Sequence, residues 1–424
     1  MVLVIAFFAL LLLGIPIALV VLIASTMGIA AYSGTSLQIV TQFLFSGLNN
    51  YVLLAIPFFI MSGTIASRGN TSKYLTQVMR MIFGRIKGGS VIAAIAACTF
   101  FAAISGSSIA TIVAVGSLMM PALIKEAYPE SMAIGSITAG GSIGVLIPPS
   151  APMIVLCVAM GTSVGQQFVS GIIPGLLLAL AWCLYVYIVS RKHNYGSAEK
   201  YTARESLSIL FKAIPALLYP IIVLGGIYSG LTTPTEAAAI SVVYVILIEL
   251  FVYRTTKPKD LIAGLKGSLV SAATMTLIVS AAQVLTWFVT TQQIPVIVTG
   301  WITGAVSSKI PFLLLVLLMF FVAGCFMDLV ALLLILGPIM SPLLASYGVN
   351  PIHFGVICIM AAQISFITPP FGLNLYVSMN LTKKGLVDVA KYTLPYLIIL
   401  VGVTLLITFC EPISMLLPNL MKPV

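Results

Sequence analysis

From Gly88 to Ile124 the chain runs for 37 residues without one charged side chain. As a single α-helix this run would be about 55 Å long at 1.5 Å per residue, nearly twice the roughly 30 Å hydrocarbon thickness of a bilayer. It must therefore fold back, and Ile104-Ser105-Gly106-Ser107-Ser108 supplies the break. A second hairpin-like run covers Ile310–Ser346, with one acid, Asp328, at its middle.

The rest of the chain fits the same solvent. Sixty per cent of its 424 residues are hydrophobic, 7% are charged and the mean hydropathy is +1.18. No soluble core hides such a chain, and the apolar runs, which recur from Val2 onward, lack the alternation of an outer-membrane barrel. The expected fold is an all-α, polytopic inner-membrane protein. Spans are expected over Met1–Ala24, Tyr51–Ala66, Ser131–Met160, Ser170–Val189, Lys212–Tyr228, Glu236–Tyr253, Ser268–Thr290, His353–Leu381 and Thr393–Leu416. The first lacks a basic n-region and a small-residue cleavage site, which favours a retained span over a signal peptide.

The net charge of +10 sits in short connectors, the mark of cytoplasmic loops rather than of nucleic-acid binding; contact with acidic membrane lipid is compatible with it. If both hairpins return to the side they left, and the connector holding Arg68, Lys73, Arg80, Arg85 and Lys87 is cytoplasmic, eighteen of the twenty Lys and Arg residues lie inside. Only Lys309 and Lys422 fall outside. The N-terminus is then cytoplasmic and the C-terminus periplasmic. The six cysteines all lie in apolar stretches and read as small hydrophobes. His193 lies in a basic loop and His353 opens a span, so neither offers the other a second ligand and no transition-metal site is expected.

A shift of 221 residues brings Gly116 onto Gly337, Pro121 onto Pro342, Pro148-Pro149 onto Pro369-Pro370 and Ser107 onto Asp328. The two hairpins enter from opposite sides, so the repeats are inverted, an arrangement common in secondary transporters. Proline pairs inside Ser131–Met160 and His353–Leu381 make both spans discontinuous, and unwound backbone survives at membrane depth only inside protein or along a polar cavity. Free carbonyls at such breaks can replace the water of a sodium ion, and free N–H groups can receive a carboxylate. Ser105, Gly106, Ser107, Ser108, Pro148, Pro149 and Ser150 are expected around a first site. Gly324, Met327, Asp328, Thr368, Pro369, Pro370, Gly372 and Asn374 are expected around a second. Cation ligation falls to Ser105, Gly106, Ser107, Pro148, Pro149, Ser150, Gly324, Met327, Asp328, Thr368, Pro369 and Pro370. Substrate contact falls to Ser105, Ser107, Ser108, Ser150, Asp328 and Asn374. A carboxylate near the bilayer centre costs about 2.5–3.5 kcal/mol on insertion scales, so Asp328 should face a cavity or a partner; capping of the second hairpin arm is compatible with that. Glu236 reads as a helix cap, and Glu249 and Glu411 as acids reaching an interface or partner.

At these residues the chain resembles the large membrane subunit of tripartite ATP-independent periplasmic (TRAP) transporters. The features are Ser105-Gly106-Ser107-Ser108, Gly141-Ser142-Ile143-Gly144 leading into Ile147-Pro148-Pro149-Ser150, Pro234-Thr235-Glu236-Ala237-Ala238, Met327-Asp328 and Ile367-Thr368-Pro369-Pro370-Phe371-Gly372. The resemblance implies an elevator-type carrier, sodium as coupling ion with no other cofactor, a small four-helix membrane subunit as a separate chain, and a periplasmic substrate-binding protein. It also implies a carboxylate substrate, with sialic acid the branch favoured. Scaffold is expected over residues 1–87, 170–290 and 382–424, and transport repeats over 88–169 and 291–381.

Other classes fit less well. There is no Gly-x-x-x-x-Gly-Lys-Ser/Thr motif for a nucleotide-driven pump. An intramembrane hydrolase would need Ser107 within reach of His353, which the inverted topology forbids, so no enzyme activity is expected. A passive channel does not need paired broken hairpins. A stand-alone sodium-coupled dicarboxylate or anion symporter would share the ion and substrate chemistry, and remains the alternative.

Overall fold

The computed structural model describes residues 2–196, 201–254, 258–325, 327–369 and 372–421, and every regular element among them is helical. Eight of these helical segments are long and apolar enough to cross a membrane. Their outer faces carry exposed leucine and isoleucine, as at Leu180, Leu184 and Ile188, side chains that favour lipid over water.

The N-terminus differs from expectation. Instead of one span over Met1–Ala24 there are two helices, α1 (Val2–Leu12) and α2 (Ile17–Tyr32). Gly14, at φ +73°, and Pro16 at the N-cap of α2 end the first and start the second. A short α3 (Gln38–Leu48) follows, then α4 (Ala55–Arg68) and α5 (Asn70–Phe83).

Through the first expected transport repeat run α6 (Gly89–Ser105), α7 (Ser108–Lys125), α8 (Glu130–Ser142) and α9 (Ala151–Met160), and the 30-residue α10 (Val164–His193) leads out of it into the expected scaffold. Next come α11 (Ala203–Tyr228) and α12 (Pro234–Leu247), each opened by a capping box, Thr202 with Glu205 and Thr233 with Glu236. Two orphan N–H groups are satisfied reciprocally in such a box, which is the role the sequence assigns to Glu236. The long α13 (Pro258–Thr291) begins ten residues before the expected Ser268, and α14 (Ile294–Ala305) was not anticipated.

The second expected transport repeat goes on through α15 (Lys309–Gly324), α16 (Leu329–Ser346), α17 (Pro351–Phe366) and α18 (Leu373–Thr382), followed by α19 (Leu386–Phe409) and α20 (Glu411–Leu420). The expected span Thr393–Leu416 is thus divided at Cys410 (φ −119°, ψ 75°), where Pro412 follows and withholds its N–H from the preceding turn. The bounds of α7 map onto those of α16 residue for residue under the 221-residue shift. Ser107 and Asp328 fall at equivalent places, each the N-cap of its hairpin's second arm.

Hydrogen bonds at the feet of the hairpins give their direction. Lys87 Nζ, just before α6, donates to Asn194 Oδ1 at the end of α10 (2.7 Å), and Arg80 pairs with Glu126, just after α7 (2.5 Å). Glu130, four residues further on, pairs with Lys384 at the start of α19 (2.7 Å). Lys309, opening α15, instead meets Glu411 beyond the end of α19 (2.9 Å) and the Gly348 carbonyl past α16 (3.2 Å). The two hairpins therefore stand on opposite ends of α19, a helix about 36 Å long at 1.5 Å per residue.

On the other flank, α4 and α12 run side by side in the same direction. Thr235 Oγ1 donates to the Tyr51 carbonyl at one end (3.1 Å). At the other, the buried Glu249 carboxylate accepts from the Asn70 and Thr71 amides (3.0 and 2.9 Å) and from Thr71 Oγ1 (2.6 Å). Glu249 is thus the internal cap of α5 rather than an acid reaching an interface. His353 is likewise buried, with Nδ1 2.7 Å from Ser414 Oγ.

Candidate functional site

Ser107 closes the first hairpin. Its backbone is extended (φ −139°), which frees its side chain to accept from the Ala110 amide (3.4 Å) at the start of α7. Gly106, at φ +56°, makes the preceding corner, a left-handed conformation that costs a residue with a Cβ. The corner is pressed against the first broken span. A Cβ on Gly106 would collide with the Pro149 carbonyl oxygen, and one on Gly144 would lie 2.6 Å from the Ser107 carbonyl oxygen. Ser105 Oγ lies 3.0 Å from Thr111 Oγ1, which donates to the Ser107 carbonyl (2.8 Å). Ser150, buried, caps α9 through the Met153 amide (3.4 Å) and donates to the Val145 carbonyl (2.7 Å).

Ser105, Gly106, Ser107, Pro149 and Ser150 are therefore brought together, with the Pro148–Pro149 peptide cis. The cluster is rich in carbonyl and hydroxyl oxygen and has no carboxylate of its own. Hard, weakly charged cations take such ligands, and no group of three or more His, Cys, Asp or Glu able to hold a metal ion occurs among the described residues. Thr111 joins this cluster although the sequence did not single it out; its signal was its place one helical turn beyond Ser107.

The second break is looser. Asp328 caps α16 by accepting from the Val330 amide (2.9 Å), and its residue is exposed. Gly324 approaches Ser365, whose hydroxyl oxygen would sit 2.6 Å from a Cβ there. Thr368 donates back to the Ile364 carbonyl (2.6 Å), and Gly372 packs under the Phe366 and Thr368 carbonyls. Pro369 is exposed, whereas Pro370 lies outside the described residues. Met327 faces an apolar cleft with Phe8, Leu11 and Leu318 rather than an oxygen cluster.

Asn374 is placed differently from expectation. It is fully buried, accepts from Ser108 Oγ (2.6 Å) and donates to the Thr138 carbonyl (3.1 Å). It ties the second broken span to the first hairpin instead of lining the second break. Ser108, whose hydroxyl it takes, is the start of α7, so the two repeats are joined at the hairpin tip.

Between the tips lies a cavity of about 380 Å³, within the usual size of small-molecule sites. Ser105 to Ala110 form one wall and Asp328 to Val330 another. Facing them are Thr64, Ser67 and Arg68 of α4, with Ser271 and Met275 of α13. Arg68 was read from the sequence only as part of a cytoplasmic connector. Gly63 allows α4 to reach the tip, since a Cβ there would stand 2.6 Å from Ser105 Cα. Tyr219 of α11, fully buried, donates to the Ile104 carbonyl (3.1 Å) and lies 2.5 Å from Ser62 Oγ. It thereby satisfies an orphan carbonyl at the end of α6.

Inverted repeats, paired broken spans and a cavity between opposed hairpins define a secondary transporter of the membrane-carrier class. The family model for the tripartite ATP-independent periplasmic transporter, DctM component, matches residues 4–413, and the chain belongs to that family. It is 38% identical over 401 residues to the C4-dicarboxylate TRAP transporter large permease protein DctM of Pseudomonas aeruginosa, covering 94% of this chain and 93% of that one. It is 31% identical to the sialic acid TRAP transporter large permease protein SiaM of Vibrio cholerae, covering 96% and 95%. In three dimensions it is similar to the YdaH transporter of Alcanivorax borkumensis (TM-score 0.61, 16% identity, covering 88% and 87%), a likeness of fold alone. Membership makes the chain a transport permease rather than an enzyme, and implies a periplasmic binding protein and a small membrane subunit as partners.

Proposed function

We propose that the chain drives uptake of a small organic carboxylate with a sodium gradient, the hairpin-bearing repeats moving as a unit against a scaffold that includes α4 and α11 to α13. The observation that carries this reading is the cavity between the two hairpin tips, where an oxygen cluster without its own carboxylate borders the anion space. A sodium ion at Ser105, Ser107 and the Pro149 carbonyl would order the first tip. Ordered amides at the start of α7 then favour a carboxylate, because the helix N-terminus carries positive potential. Asp328, at the opposite tip, serves as a cation ligand or polar substrate contact.

A four-carbon dicarboxylate is favoured over sialic acid, because the Pseudomonas relative that bears that name is 38% identical against 31% for the sialic acid relative. The test is uptake into proteoliposomes containing this chain, its small subunit and its binding protein. Labelled succinate and N-acetylneuraminate are followed with and without a sodium gradient. Succinate uptake that needs both sodium and the binding protein supports the reading; N-acetylneuraminate uptake under the same conditions keeps the mechanism and changes the substrate. Sodium-driven uptake without the binding protein would favour a stand-alone symporter. Asp328→Ala is expected to depress uptake and weaken its sodium dependence with membrane insertion intact, and normal sodium-dependent uptake by that variant would remove Asp328 from the mechanism.

A further inference from the structure

We propose that Arg68 reads the anionic charge of the transported molecule, holding a substrate carboxylate across the cavity from the start of α7. This inference rests on the carboxylate reading above. Arg68 is the last residue of α4, is exposed, and is the one cationic side chain among the described residues lining the cavity. No carboxylate among the described residues lies within 4 Å of its guanidinium, whereas Arg80, Lys309 and Lys384 each have an acid partner.

Apart from the Asp328 carboxylate on the opposite tip, the described walls around it are hydroxyl, backbone or hydrocarbon. A carboxylate drawn into such a space loses its water and needs a charged or amide partner to replace it. A planar guanidinium offers two parallel N–H donors to the two carboxylate oxygens, a stronger and more selective contact than a point charge. The position is also built. Gly63 sets α4 against the hairpin tip, and Arg68 follows five residues on, a rise of about 7.5 Å. Directly after Arg68 the chain turns at Gly69, where a Cβ would collide with the Glu249 carboxylate that binds the Asn70 and Thr71 amides. Glu249 acts here as a positioning residue: it fixes the corner that presents Arg68, and its oxygens are engaged by α5.

A lysine or arginine at a span end ordinarily serves topology, held at the interface with lipid phosphate. Arg68 instead faces the same space as Ser107, Ser108 and Asp328. Its removal orphans no carboxylate among the described residues, so Arg68→Gln is expected to fold.

The experiment compares wild type, Arg68→Gln and Arg68→Lys in the proteoliposomes described above, with succinate, its half-amide succinamate as competitor, and N-acetylneuraminate. Arg68→Gln is expected to raise KM for the transported acid at least tenfold while sodium dependence persists, with Arg68→Lys intermediate. In wild type succinate should outcompete succinamate, and that preference should shrink in both variants, a change that general loosening of the fold would not produce. Unchanged KM and unchanged preference in Arg68→Gln would make Arg68 a topological anchor only. Should Arg68→Gln fail to reach the membrane, an unchanged preference in Arg68→Lys would overturn the proposal equally. If wild type takes up neither acid, the carboxylate reading falls and the role of Arg68 falls with it, a result distinct from wild-type uptake that Arg68 does not affect.

Discussion

The tightest contact in the proposed cation site is testable through Gly106→Ala. Two terms oppose the added methyl. The first is conformational: Gly106 sits at φ +56°, where a residue with a Cβ loses about 1–2 kcal/mol. The second is steric, because the new Cβ would fall well inside 3.0 Å of the Pro149 carbonyl oxygen, with the Pro149 carbonyl carbon at 3.2 Å and Ser150 Cα at 3.4 Å. These are backbone atoms of the broken span and have no rotamer to escape into. The tip must withdraw, and overpacking of this kind costs about 1–3 kcal/mol. The sum is about 2–5 kcal/mol. Gly161→Ala is the matched control: Gly161 ends α9 at φ +67° with nothing within 4 Å of a Cβ, so only the conformational term applies. Thermal unfolding of both variants in nanodiscs, with sodium titrated, separates the terms. Gly106→Ala should be the less stable and should need more sodium for half-maximal uptake, while Gly161→Ala keeps the wild-type sodium requirement. Equal stability and equal sodium requirement in the two variants would refute the idea that the tip is pressed onto the Pro149 carbonyl.

Three further outcomes are expected. Ser108→Ala strands the buried Asn374 Oδ1, an unsatisfied group costing about 1–3 kcal/mol; Ser108→Ala combined with Asn374→Leu should lose less than the two single variants summed, as a double-mutant cycle would measure. Glu249→Gln removes the charge that caps α5, and hydrogen bonds to charged groups contribute about 1.5–3 kcal/mol each. Its melting temperature should drop, and hydrogen exchange at Asn70 and Thr71 should accelerate while that of α19 is unchanged. Outside the spans, hydrogen bonding from Lys384 holds the Glu130 carboxyl below its usual range. A depressed carboxyl stabilises above its unfolded value and loses that contribution as pH falls through the folded one. The small difference in melting temperature between wild type and Lys384→Ala should therefore be present at neutral pH and vanish in acid, and a difference independent of pH would count against the pair.

The hairpins and broken spans were legible because their signals are covalent or compositional. A 37-residue uncharged run is too long for one crossing, and Pro148-Pro149 interrupts a span wherever it occurs. The equivalence of Ser107 and Asp328 was legible as well, since an N-cap has a residue preference that survives when the rest of the repeat has diverged. The N-terminal pair α1 and α2 was read as one span because hydropathy does not register the left-handed turn at Gly14. Asn374 was assigned to the second break by proximity in sequence. Its actual partner, Ser108, lies 266 residues away, and nothing local encodes that pairing.

Arg68 and Glu249 show where reading by position fails for a physical reason. In sequence both are charges near span ends, and the usual account of such charges is the interface. In the fold, α4 stops at Gly69 because Glu249 of the neighbouring helix binds the first amides of α5. That capture keeps α5 from continuing α4, and it leaves the Arg68 guanidinium beside the hairpin tips with no carboxylate among the described residues within 4 Å. An acid that is fully buried and satisfied by amides thus makes an exposed arginine available to an anion. The charge that counts most for the cavity is set by a residue 181 positions away in the chain. The dependence has a direction: Glu249→Gln should weaken succinate binding through the α4–α5 corner, whereas Arg68→Gln should leave the cap of α5, and with it hydrogen exchange at Asn70 and Thr71, as in wild type.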